Sequence, residues 1–272
     1  MRSYYCIFIS LERRQMLKIQ PIKAFTDNYI WLLSKPDSRE AWVVDPGDAQ
    51  PVIDTLRSLS LNLAGILVTH HHFDHVGGLA ALCEAFQPVV YGPHNPAIAS
   101  ITDRVAAGDT VNVLGTPFSV LAVPGHTLDH IAYAHQGEHP VVFCGDTLFA
   151  GGCGRLFEGD PAMMLNSLDS LAALLPSTQV YCAHEYTLAN LAFACAVEPD
   201  NRSLSARVAQ AEVTRGQDKP TVPSHIALEL ATNPFLRCRE ASLQASLKLQ
   251  GKLPGSDPAV VFAAVRRWKD SF

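Results

Sequence analysis

Between Val68 and Leu79 the chain reads Thr69-His70-His71-His72-Phe73-Asp74-His75-Val76-Gly77-Gly78, with four imidazoles and a carboxylate in close succession. Neutral imidazole and carboxylate together suit borderline divalent metals such as zinc, whereas calcium or magnesium would draw oxygen ligands alone. His70, His72, Asp74 and His75 can fan out from one loop towards two adjacent metals. Four such groups cannot complete two catalytic coordination shells, so further His or Asp residues are required elsewhere. His126 follows Val120 to Gly125, Asp146 follows Val141 to Gly145, and His184 follows Val180 to Ala183, each at the end of a predicted strand. A lone His is usually a surface or satisfied core residue and a lone Asp after a strand is usually a cap. Repetition at strand ends is what lifts the set above that reading. His71, lying between two candidate ligands, and His94, His130, His135, His139 and His225 are read as ordinary surface or core histidines.

The elements that must position these groups are legible as patterns. From Leu17 to about Ala183, short β-rich runs (Tyr29 to Leu33, Ala41 to Asp45, Ile66 to Thr69, Val120 to Val123, Val141 to Asp146) alternate with helical stretches. Helices are expected over Pro51 to Leu59, Val76 to Phe86 and Ala162 to Leu175, the last opening after Asp160-Pro161, a cap and a first-turn proline. This is a layered α/β arrangement. Beyond Glu185 the β-branched runs give way to Ala, Leu, Arg and Glu, and prolines at 199, 220, 223, 234 and 254 divide a helical region that runs to Phe272. Residues 1–15 read as a loose extension or as preceding the true start, with Met16 opening the first strand.

A chain of 272 residues with 48% hydrophobic and 17% charged residues has the composition of a soluble globular enzyme. A net charge of -5 does not favour the basic face that nucleic acid requires, and no apolar run is long enough to span a bilayer. The seven cysteines are scattered and never spaced Cys-x-x-Cys, which points to reduced thiols in a cytoplasmic protein rather than to a disulfide framework.

The His-x-His-x-Asp-His signature at His70, His72, Asp74 and His75 resembles that of the metallo-β-lactamase superfamily. That resemblance implies a four-layered αββα sandwich over residues 16–184 with a C-terminal helical subdomain over 185–272. It places His70, His72 and His126 on a first divalent metal, and Asp74, His75 and His184 on a second, with Asp146 bridging both. Asp45, in Val43-Val44-Asp45-Pro46-Gly47, matches a strand-end Asp that orients the ligand loop from behind.

Within the superfamily, the segments Phe25 to Trp31, Gly145 to Phe149, Gly152 to Gly159, His184 to Thr187, Asn233 to Arg237 and Val265 to Asp270 are similar to the glyoxalase II (hydroxyacylglutathione hydrolase) family. The implied reaction is hydrolysis of a small-molecule glutathione thioester by a monomer, with Asp74, Asp146 and His184 serving the metal-held water. Zinc is the expected metal, with iron or manganese as alternatives. Family positions for glutathione match Arg155, Phe157, Tyr186, Arg266 and Lys269, although Arg155 stands where Lys is familiar and Phe157 where Tyr is familiar. Another hydrolase of the superfamily, or a persulfide dioxygenase with one iron, is the rival reading. The tail bearing Arg266 and Lys269 counts against the first, and the full second set Asp74, His75 and His184 counts against the second.

Overall fold

In the computed structural model, which describes residues 16–272, hydrophobic runs become buried strands and their ends carry the candidate donors. The chain divides into two units between Val120 and Leu121. The expectation for residues 1–15 lies outside the described residues.

The first unit is built on a sheet of β1 (Lys18–Ala24), β2 (Asn28–Ser34), β3 (Glu40–Val44), β4 (Asn62–Leu67), β5 (Val89–Gly92) and β6 (Asp103–Arg104), in that spatial order. β1, β2 and β3 form an antiparallel meander, while β3, β4, β5 and β6 run parallel. α1 (Ala49–Leu59) makes the crossover from β3 to β4. Asp48 caps it by accepting from the Gln50 amide, and Val52 and Leu56, four residues apart, bury one face. That face joins Leu32, Val43, Ile66, Val68 and Val90 in the core. β7 (Thr110–Val113) pairs antiparallel with β8 (Thr116–Ala122), which runs across the division.

The helix expected over Val76 to Phe86 is instead broken: α2 (Phe73–Val76) is a single turn and α3 (Leu79–Phe86) follows it. The Gly77-Gly78 pair makes the break, because the Gly78 amide turns away to bond the Pro46 carbonyl at 2.9 Å. One result is that Asp74 and His75 sit on a separate turn tied to the loop after β3.

In the second unit β9 (Ile131–His135), β10 (Val141–Gly145) and β13 (Gln179–Cys182) pair in that order, and a two-residue hairpin, β11 (Leu148–Phe149) with β12 (Gly152–Cys153), follows β10. β10 and β13 are parallel, joined through α4 (Pro161–Ala172), whose cap Asp160 accepts from the Met163 amide at 2.8 Å. Next come α5 (Thr187–Val197), α6 (Arg202–Gly216), α7 (Ile226–Thr232), α8 (Ala241–Leu249) and α9 (Pro258–Asp270). The helical reading of this region holds, and within it the short β14 (Ser224–His225) adds an antiparallel edge to β13. Phe235 anchors the helical part, its ring 6.1 Å from Phe193 and 5.5 Å from Phe262. Among the described residues no helix is long and apolar enough to cross a membrane.

Candidate functional site

Parallel neighbours end at the same edge of a sheet, so the residues after β3 and β4 meet, as do those after β10 and β13. In the first unit Asp45, just past β3 with φ 51°, turns its carboxylate to the loop after β4. Its Oδ1 accepts from the Thr69 amide at 2.7 Å, and its Oδ2 accepts from the Thr69 hydroxyl at 2.7 Å and lies 3.0 Å from His75 Nδ1. A carboxylate only accepts, so His75 carries its proton on Nδ1 and its lone pair on Nε2, the form in which imidazole binds a metal. The Thr69 hydroxyl, having donated to Asp45, accepts from His70 Nδ1 at 3.1 Å, which sets the same tautomer on His70. His70 and His75 are buried, with ring centroids 4.1 Å apart, and His72 lies 4.8 Å from His70. Asp74 Oδ2 accepts from Asn28 Nδ2 at 2.9 Å and stands 3.4 Å from His75 Nε2. Gly47 is required here, since a Cβ on it would lie 1.9 Å from the Asp74 carbonyl oxygen.

In the second unit Asp146 faces two imidazoles, with His126 Nε2 3.5 Å from Oδ2 and His184 Nε2 3.4 Å from Oδ1. His126 Nδ1 donates to the Arg155 carbonyl at 2.7 Å, again placing the lone pair on Nε2. The His184 ring stacks on Tyr186, centroids 4.7 Å apart and 6° from parallel.

The three carboxylate–imidazole separations of 3.4 to 3.5 Å exceed the 2.7–2.9 Å of a charge-assisted hydrogen bond. They match two ligands of one cation: metal–ligand lengths near 2.1 Å at a tetrahedral angle put the donors about 3.4 Å apart. The donor chemistry and the tautomers therefore fit a divalent metal.

Of the residues expected to meet substrate, Arg155 is exposed and lies 3.8 Å from Asp270 Oδ1. Phe157 is also exposed, its ring edge-on to His126 at 5.3 Å. Arg266 is neither a solvated helix end nor open to solvent: it is 6% exposed, donating to the Cys153 carbonyl at 3.2 Å and to Asp270 Oδ1 at 2.8 Å. Lys269 donates to the Ala189 carbonyl at 3.2 Å, and burial followed by the Arg266 charge holds its pKa down.

Pattern reading missed His130, which is buried and accepts the Asp146 amide proton on Nε2 at 3.1 Å while Nδ1 bonds the Ile131 carbonyl at 3.1 Å. Its signal was the four-residue spacing from His126, which without a second imidazole role looks like chance. Asn28 was likewise in a noted segment without an assigned part. His225 serves as the α7 cap through Nδ1. Burial pushes the Cys153 thiol up to about 11 despite the neighbouring Arg266, so it is protonated near neutral pH and no nucleophile.

Residues 26–184 match the metallo-beta-lactamase superfamily model, and residues 185–272 match that of the hydroxyacylglutathione hydrolase C-terminus. A curated relative from Pseudomonas aeruginosa (strain LESB58), named hydroxyacylglutathione hydrolase, is 53% identical over 258 residues, covering 94% of this chain and 100% of the relative. The chain belongs to the hydroxyacylglutathione hydrolase family. Among solved structures, ETHE1 from Myxococcus xanthus aligns with TM-score 0.62 and 26% identity over 94% of this chain and 99% of its own. TTHA1623, solved in a di-iron-bound form, aligns with TM-score 0.57 and 26% identity over 80% and 100%. The fold of this hydroxyacylglutathione hydrolase family member is thus that of the metallo-beta-lactamases, and with its His and Asp groups it implies divalent metal ions.

Proposed function

We propose that the chain hydrolyses the thioester of S-(2-hydroxyacyl)glutathione, chiefly S-D-lactoylglutathione, to glutathione and D-lactate, the detoxifying step for methylglyoxal. Family membership carries the choice of substrate, and the metal-like spacing of the carboxylate–imidazole pairs carries the choice of mechanism. His70, His72, Asp74, His75, His126, Asp146 and His184 hold two divalent ions, with zinc favoured by imidazole-rich ligation over iron or manganese. When bound, such ions supply an acidified water and electrophilic support for the thioester carbonyl.

The protein's own groups do the rest. Asp45 and Thr69 hold His75 and His70 in the lone-pair-on-Nε2 tautomer. Asp74 is aimed by Asn28, and Asp146 by the bond of its amide to His130. Glutathione carries two carboxylates, which Arg155 and Lys269 attract, while Arg266 holds Asp270 and Cys153 in place beneath them. Phe157 and Tyr186 offer exposed rings to the ligand. Hydrolysis breaks the C–S bond and adds the elements of water; the departing thiolate is a good leaving group and takes up a proton without a dedicated acid. We place the enzyme in the cytoplasm as a monomer, in keeping with the free thiols of its described cysteines.

The deciding experiment is hydrolysis of S-D-lactoylglutathione, followed by ultraviolet loss of the thioester, with metal content measured on the same sample. Rapid turnover with close to two metals per chain is expected. A fully metallated sample that leaves this thioester intact would overturn the substrate assignment.

A further inference from the structure

Glu229 and Asn233 are completely buried charged and polar residues that touch no candidate metal donor. They stand at α7 and grip the β11–β12 hairpin from behind. Glu229 Oε2 accepts from the Gly151 amide at 2.9 Å and from Asn233 Nδ2 at 3.0 Å, while Oε1 takes the Arg207 guanidinium and the Ser224 hydroxyl. Asn233 Nδ2 also reaches the carbonyls of Gly152 at 2.9 Å and Phe149 at 3.3 Å, and Asn190 Nδ2 donates to the Ala150 carbonyl at 3.2 Å. Each residue from 149 to 152 is therefore tied by its backbone to side chains of the helical region.

A hairpin of two-residue strands cannot hold its own shape, so its position is set by what binds it. Buried bonds of this kind are costly to leave unmade, which makes the grip geometrically strict. What the grip positions is the Phe149 side chain. Its ring stands edge-on to both members of the parallel pair described above, 5.8 Å from His184 at 84° and 5.3 Å from Tyr186 at 78°. A near-perpendicular contact to each ring bears on the tilt of the pair, a direction in which parallel stacking is itself soft.

We infer that Phe149 is a positioning residue for the His184 imidazole, and that Asn233 and Glu229 set Phe149 by clamping the hairpin backbone. The helical region thereby orients a metal-binding group as well as offering cations to substrate. The role in metal retention rests on the metal reading of His184 given above; the ring geometry does not.

Two variants test it. Phe149→Leu keeps an apolar side chain in the core and removes both edge contacts, whereas Asn233→Ala leaves the ring and removes its backbone hold. The first readout is the proton shift of the His184 imidazole in metal-free protein at fixed pH, assigned by its loss in His184→Gln, because stacking on Tyr186 shields that ring. Both variants are expected to move it towards the unstacked value, and to lose metal to a chelator about tenfold faster than the wild type. Unmoved His184 shifts in both variants, with lowered melting temperatures only, would overturn the inference and leave the clamp a mere structural support. Wild-type protein that takes up no metal would defeat the metal reading instead, and the proton shift would still decide the positioning role.

Discussion

The Asp45 carboxylate and the His75 imidazole are joined in the interior, Oδ2 to Nδ1 at 3.0 Å, with both side chains almost wholly buried. That bond, together with the two from Thr69, uses Asp45 as an acceptor three times over. Asp45→Asn puts an amide donor where only acceptors fit, so one bond is replaced by a donor facing a donor. We expect a loss of about 1–3 kcal/mol in stability, the cost of a buried unsatisfied group. Metal affinity should fall with it, since His75 loses its enforced tautomer. Urea unfolding and metal titration of the variant check both; unchanged metal affinity would show that the tautomer needs no partner.

His130 is the second such support. Replacing it by Leu strands the Asp146 amide in the interior, and the expected result is a similar loss of about 1–3 kcal/mol in stability, scaled by how far the loop relaxes. Turnover should drop about tenfold or more because Asp146 shifts relative to His126 and His184. His130→Gln, which can still accept that proton, should recover much of the activity. A Leu variant with full turnover and metal content would remove His130 from the site.

Gly154 admits no side chain. A Cβ there would lie 1.9 Å from the Asp146 carbonyl oxygen and 3.1 Å from His126 Nδ1, both rigidly held. Gly154→Ala is therefore expected to displace the Asp146 segment and to lower metal content and turnover together, while the helical region melts as before. Normal metal content in this variant would show that the segment can retreat without cost.

The strand ends that carry His70, Asp146 and His184 were legible because buried parallel strands read as continuous apolar runs, and donors that follow them stand out. The helical character of the last third was legible from propensity alone. The turn at Phe73–Val76 was not, because Phe73, Val76 and Leu79 keep helical spacing while the Gly77-Gly78 break depends on the distant Pro46 carbonyl. Nor was the role of His130, whose partner is a backbone amide and leaves no mark in composition. Arg266 shows the same limit: it matches a family position for glutathione, and only the folded chain reveals Cys153 and Asp270 around it.

Phe157 lies edge-on to His126 with its exposed rim towards solvent. Phe157→Tyr adds a hydroxyl at that rim, where one hydrogen bond to a bound carboxylate is worth about 1 kcal/mol, or roughly a fivefold change in affinity. The expected outcome is a KM for S-D-lactoylglutathione several-fold lower at unchanged kcat. A changed kcat with constant KM would place Phe157 against the reacting acyl group instead.

Lys269 gives a pH dependence with a defined sign. Burial, and then the Arg266 charge, hold its pKa below the ordinary lysine value of 10.5. In the window between the lowered folded pKa and 10.5 the unfolded chain binds more protons than the folded one, so stability rises with pH there and the cost of the half-buried ammonium is present below it. Substrate binding runs the other way. The cation that attracts a glutathione carboxylate is lost as pH rises through the lowered pKa, earlier than for an exposed lysine. KM should therefore climb on the alkaline side at nearly constant kcat, after correction for spontaneous thioester hydrolysis. Lys269→Arg should abolish that climb, since guanidinium does not titrate in this range. An identical alkaline rise of KM in the Arg variant would assign the titration to another group and take Lys269 out of substrate binding.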